Sequence, residues 1–217
     1  MQLWELLGVR PGVTAFIGGG GKTTMMDTLA RELSERGRVI CATTTRIFPP
    51  ERLPVVERVD RDMLERLRCV CAGTPAQAGK LAAPSQTMAE LTALADYVLV
   101  EADGSRGLPL KAHLPHEPVI PPEARQTVVL VGASAFGRPV QEAVHRPEVF
   151  CRLTGLSPDA SITPQAAAAA LEAEALGDLV FVNQAETEEA LAAARCLTLR
   201  VPVYAGSLQR GEWKCLS

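Results

Sequence analysis

The 217-residue sequence predicts a three-layer α/β fold, a mostly parallel sheet between layers of helix. Three observations predict it. Short apolar segments alternate with helical patterns along most of the chain. Several of those segments are apolar throughout. A run of four glycines, Gly18 to Gly21, joins the first of them to a helical pattern. A strand without a polar face is covered on both sides, the habit of parallel sheets. Hydrophobic residues make up 47% of the chain and charged residues 22%, enough apolar surface to offset the entropy of ordering it. Aromatics are 4%, so the core is expected to be Leu, Val and Ala.

Taken in order, Val13–Ile17, Arg38–Thr43, Cys69–Ala72, Tyr97–Glu101, Thr127–Val131 and Leu179–Asn183 read as strands, with Val201–Ala205 as a further candidate. Helices are expected over Thr23–Arg36, Asp60–Arg68, Gln86–Leu94, Pro164–Leu176 and Glu188–Cys196. Nothing in the sequence separates two domains, so residues 1–217 read as one, with irregular functional loops at 104–122 and 132–164. The first loop holds Pro109, Pro115, Pro118, Pro121 and Pro122, which exclude regular helix.

Net charge is −3, with no basic block, so no nucleic-acid footprint is expected. No apolar run approaches the roughly 20 residues needed to cross a bilayer, and no secretory leader is evident. These point to the cytoplasm and to six reduced cysteines. Cys69 and Cys71 are expected to point to opposite faces of their strand and so not to ligate a metal together.

The sharpest motif is Gly18-Gly19-Gly20-Gly21-Lys22-Thr23-Thr24, set between a strand and a helix as a phosphate-binding (Walker A) loop requires. Glycines let backbone amides turn toward phosphate oxygens, and the following helix presents its positive end. Lys22 is expected on the β- and γ-phosphates and Thr23 on Mg²⁺. The loop is a variant: Phe16 stands where the first glycine of the usual pattern belongs. A dinucleotide fingerprint fits less well, because Thr23 replaces its third glycine and no acid ends the second strand. Arg46, which follows Thr43-Thr44-Thr45, keeps a contact to a ribose phosphate open.

The Tyr97–Glu101 strand ends in Glu101-Ala102-Asp103-Gly104. A carboxylate there holds Mg²⁺ in phosphate-loop proteins. Asp103 is expected to support the metal, with Glu101 orienting the nucleophile or acting as a second ligand. In the segment that follows, Arg106 and Lys111 are candidates to neutralise transition-state charge and His116 to transfer a proton. Asn183-Gln184-Ala185-Glu186 resembles the Asn-Lys-x-Asp pattern that reads guanine, with Gln for Lys and Glu for Asp. Asn183 and Glu186 are therefore candidates for base contact, with adenine and guanine both open. The alternative role for Asn183 is to cap the helix that follows.

Together with Thr43–Arg46, Pro109-Leu110-Lys111, His116-Glu117-Pro118-Val119-Ile120-Pro121, His145-Arg146-Pro147-Glu148, Thr154-Gly155-Leu156 and Ile162-Thr163-Pro164, these motifs resemble the selenium-dependent molybdenum hydroxylase accessory proteins over about residues 12–190. The resemblance implies a P-loop NTPase-like fold, ATP or GTP with Mg²⁺, and a molybdenum hydroxylase or its cofactor as partner. It supplies a pathway and not a reaction. The leading expectation is therefore Mg²⁺-dependent nucleoside triphosphate binding and hydrolysis in maturation of such an enzyme. A small-molecule kinase or ATP-dependent ligase, and a non-catalytic nucleotide-sensing scaffold, are the alternatives.

Overall fold

The computed structural model describes residues 1–216. The fold is α/β with a large, mostly parallel sheet, as the sequence predicts. Its contacts group into two compact units. The first comprises Met1–Phe16, Thr23–Gly104 and Val119–Thr127; the second comprises Ile17–Lys22, Ser105–Pro118 and the chain from Val128 onward.

In the first unit, parallel strands run in the order Gly12–Gly18, Tyr97–Glu101, Val39–Thr43, Cys69–Ala72 and the two-residue Val55–Val56. Register sets Val13 beside Val98, Ile40 beside Val98 and Val70 beside Ile40. One face of these strands therefore carries Val13, Ile40, Ala42, Val70, Ala72, Val98 and Val100, all buried. Leu64 and Leu91 pack on it from the helices Arg61–Leu67 and Met88–Leu94. Both helices start where local chemistry says they should. Asp60 accepts a hydrogen bond from the Met63 amide, and Thr87 and Glu90 form a reciprocal capping box.

The other face carries Leu99, Cys41, Cys69 and Cys71, the last directly beside Cys41. This corrects the expectation for Cys69 and Cys71: residues two apart on a strand share a face. All three thiols are buried, and burial pushes Cys71 up to about 12. No cysteine forms a disulfide, and among the described residues no cluster of three His, Cys, Asp or Glu is arranged around a metal.

In the second unit the strand order is Glu212–Cys215, Val203–Ser207, Leu179–Asn183 and Ala124–Gly132, parallel except for the antiparallel Glu212–Cys215. That edge strand has an alternating, mostly polar pattern and was not expected. The helices Pro164–Glu174 and Glu188–Arg195 are capped by Thr163 and Thr187, whose hydroxyls accept from the Ala166 and Ala190 amides. The stretch 132–164 is more regular than expected. It contains the helix Pro147–Thr154, entered through Pro147 and closed by Gly155. Arg146, immediately before that helix, takes a left-handed conformation. Leu110–Lys111 and Val144–His145 form a separate two-stranded parallel pair that sets His145 beside Lys111. Among the described residues no helix is long and apolar enough to cross a membrane.

Candidate functional site

The glycine run is closed by backbone on several sides. Gly18 and Gly20 have φ of +89° and +83°, a region that penalises any side chain. A Cβ on Gly18 would lie 2.3 Å from the Leu130 carbonyl oxygen, and one on Gly20 would lie 2.4 Å from the Gly132 nitrogen. The loop is tied to its walls by Gly19 N to Leu130 O, 2.9 Å, and Gly20 N to Leu108 O, 3.2 Å. Lys22 is buried, and its ammonium donates to Gly18 O at 2.6 Å, with Ser105 Oγ at 3.4 Å. The helix Lys22–Ser34 begins at that lysine.

Asn183 is the brace of this loop. Its Nδ2 donates to Gly20 O at 2.7 Å, and its Oδ1 accepts from the Leu208 amide at 3.0 Å. Both ends of a buried amide are engaged by backbone, so the geometry assigns Asn183 to loop support in place of the base contact expected for it. Helix capping is Thr187's role. Gln184, at φ +63°, accepts from Ser134 at 2.6 Å, and Glu186 is half-buried.

In the first unit, Thr23 and Thr24 are exposed at the start of their helix. The Thr23 hydroxyl lies 3.4 Å from Glu101 Oε2. Glu101 is buried at the end of its strand, and its carbonyl accepts from Thr43 Oγ1 at 3.0 Å and the Thr44 amide at 3.1 Å. Thr43 in turn accepts from the Thr45 amide, and the Thr44 hydroxyl donates to Val119 O at 2.7 Å. The threonine run is thus a backbone clasp for the 101–103 turn, and Arg46 beyond it is exposed. Asp103 is 1% exposed. Hydroxyl and carboxylate oxygens are the donor set of a hard cation, so Thr23, Glu101 and Asp103 fit Mg²⁺ in kind.

Lys111, in the second unit, has a fully buried side chain paired with Glu117 Oε2 at 3.4 Å. Glu117 Oε1 also meets Arg146 at 3.4 Å. The imidazole beside Lys111 is that of His145; His116 is exposed. Burial, with the cations of Lys111, Arg146 and Arg106, lowers His145 to about 4, so it is neutral near pH 7. Glu117 is held below the usual carboxylate range by Lys111 and Arg146, against the opposing cost of burial. His113 is committed elsewhere: its Nδ1 lies 2.8 Å from Glu174 Oε2, on the wall of a largely apolar cavity of about 230 Å³.

The model of the YqeC protein family matches residues 14–148. The chain belongs to the YqeC family. The uncharacterized protein YqeC of Escherichia coli (strain K12) is 38% identical over 167 residues. The match covers 70% of this chain and 64% of that protein, so the chain spans just under two thirds of its curated relative. Among solved structures, the hydrogenase maturation factor HypB from Archaeoglobus fulgidus aligns over 92% of this chain and 83% of its own, with 13% identity and a TM-score of 0.46. A likeness at that level carries no inference about ligand or activity. The YqeC match takes in the glycine run, Glu101 to Asp103, Lys111, Glu117, His145 and Arg146, and ends before Asn183.

The sequence offers His145, Arg146 and Glu117 only as members of motifs that carry the resemblance, with no role of their own. The signal was the pairing of two dipeptides, each an apolar residue followed by a basic one, Leu110-Lys111 and Val144-His145, each too short to read as a strand alone.

Proposed function

We propose that this YqeC-family chain binds a nucleoside triphosphate, ATP or GTP, with Mg²⁺ and hydrolyses it, in maturation of a molybdenum hydroxylase. The maturation role follows from the resemblance of its motifs to the accessory proteins. The observation that carries nucleotide binding is the Gly18–Lys22 loop. Its glycines occupy conformations and spaces that exclude side chains, and a buried ammonium is folded onto the loop's own carbonyl. Phosphate oxygens are better acceptors for that ammonium than the Gly18 carbonyl, because their negative charge adds a Coulomb attraction to the hydrogen bond. Binding therefore offers the Lys22 ammonium charged acceptors beside the Gly18 carbonyl it already meets.

Thr23, Glu101 and Asp103 would hold the magnesium, which when bound neutralises charge on the phosphates. Thr43 and Thr44, hydrogen-bonded to Glu101 O, couple the metal-side carboxylate to the segment that ends in Arg46. A change at Glu101 on loss of the terminal phosphate is thereby transmitted to residues 43–46, the order–disorder behaviour of nucleotide switches.

Thermal unfolding with ATP, GTP and Mg²⁺ tests the reading. Ligand at 100 times its dissociation constant adds about 2.7 kcal/mol, a rise of roughly 5–10 °C for a chain of this size. The rise should vanish in Lys22→Ala. No shift with either nucleotide refutes the proposal.

A second reading is transfer of the phosphoryl group to a small acceptor. The observation favouring it is the cationic cluster of Lys111 and Arg146, reached through Leu108 to Leu110 along the loop wall. Phosphate released from the folded protein without any acceptor favours hydrolysis; release only with an acceptor favours transfer.

A further inference from the structure

The cavity beside His113, about 230 Å³, belongs wholly to the second unit. Its floor is Ile17, Val129 and Val180, all buried in the sheet. Leu171, Leu176 and Leu199 stand around it and are only half-buried. One wall is the end of the helix Pro164–Glu174 and the turn that follows, where Ala175 takes φ +49°, ψ +42°. That left-handed conformation is uncommon for an alanine, and it carries the chain sharply off the helix axis.

Native interiors are packed with few voids larger than a water molecule. An apolar cavity of about 150 Å³ already admits benzene. At about 230 Å³, this one has room for a molecule of one or two fused rings. An occupant would complete the burial of the three leucines, a gain in proportion to the apolar area covered.

The polar groups of the wall narrow the choice. Glu174 Oε1 accepts from the His113 amide at 2.6 Å, and Oε2 lies 2.8 Å from the ring Nδ1. The side chain of Glu174 is 9% exposed and that of His113 is 3% exposed. Glu172, the other carboxylate of the wall, accepts from the Arg200 amide at 2.6 Å and meets the Arg200 guanidinium, itself almost wholly in solvent, at 3.3 Å. A carboxylate accepts at about four positions and donates at none. The contacts with His113 use one position on each Glu174 oxygen, so the wall has acceptor capacity to offer a donor. An apolar pocket with a few fixed polar groups is the common form of a small-molecule site.

We infer that this cavity is a binding site for a small, largely apolar ring molecule that donates an N–H or O–H group to Glu174. The site is distinct from the phosphate loop and does not rest on nucleotide binding.

Titration of the full chain with indole, followed by methyl resonances and by calorimetry, is the test. The methyls of Val129, Val180, Leu171 and Leu199 should shift together and saturably, with a dissociation constant below about 1 mM. Indene has the same shape without the N–H and should bind about tenfold or more weakly, the loss of a hydrogen bond to a charged acceptor. Benzoate, which brings an anion to a wall of carboxylates, should not bind. Leu199→Trp sets an indole ring into the cavity from its half-buried side, so it should melt no lower than wild type and lose the indole response.

Unshifted cavity methyls overturn the inference, as does indene or benzoate binding as tightly as indole. A full indole response in folded Leu199→Trp places the probe elsewhere and overturns it too. Should Leu199→Trp not fold, the wild-type methyls decide, because shifts confined to residues away from the cavity refute the site. Self-association of wild type that Leu199→Trp abolishes assigns the cavity to a second copy of the chain and refutes the small molecule.

Discussion

Asn183→Ala is the substitution that most directly tests how the loop is built. It removes the donor to Gly20 O at 2.7 Å and the acceptor for Leu208 N at 3.0 Å. Asn183 is 6% exposed, so water does not readily replace both contacts. An orphaned buried group costs about 1–3 kcal/mol. The carbonyl has a second lone pair and stands at the low end, the amide nearer the middle, so the two together come to about 3 kcal/mol. For a chain of this length that lowers the melting temperature by roughly 6–12 °C. Scanning calorimetry without ligand reads it.

Asn183→Asp sharpens the test. The carboxylate keeps an acceptor for Leu208 but sets a second oxygen against Gly20 O. It should be at least as destabilising, and triphosphate binding should weaken with it. An Asn183→Ala or Asn183→Asp protein that melts within about 2 °C of wild type would refute the brace. Weakened nucleotide binding at an unchanged melting temperature would instead return Asn183 to ligand contact.

Gly20→Ala, with φ +83° and a backbone nitrogen 2.4 Å from the new Cβ, should lose more stability than an average surface change and abolish triphosphate binding, as melting and calorimetric titration would register. Glu101→Gln keeps the size of the side chain but removes its charge beside Thr23, so nucleotide affinity should lose its dependence on Mg²⁺ while metal-free binding persists; titrations with Mg²⁺ and with EDTA compare the two. His145 should make stability pH-dependent. Its folded value of about 4 lies below the ordinary histidine value near 6.5, so the unfolded chain takes up the proton first. Stability is full above about pH 6.5 and falls as pH drops toward 4, by up to about 3 kcal/mol. His145→Gln should flatten that limb in denaturant melts at stepped pH, and an equally steep limb in the variant would show that another group causes it.

The strands Cys69–Ala72, Tyr97–Glu101 and Leu179–Asn183 were legible to the residue, because a doubly covered strand leaves an unbroken apolar run between turn residues. The helix starts at Asp60, Thr87, Thr163 and Thr187 were legible within a residue or two, because capping is local chemistry. The Pro147–Thr154 helix and the Glu212–Cys215 edge strand were not. The first follows a left-handed Arg146 that no propensity favours, and the second pairs on one side only and carries the polar pattern of a loop.

The phosphate loop shows the same division. Four adjacent glycines before a lysine and a threonine announce a backbone meant to lie close to something, and that much is composition and spacing. Which carbonyl receives the Lys22 ammonium, that Asn183 from 163 residues away holds the loop, and that His145 and not His116 stands beside Lys111 were decided by strand register. Register is a long-range property: it depends on which buried faces meet. A dipeptide such as Val144-His145 carries too little periodicity to declare its partner before the sheet has chosen one.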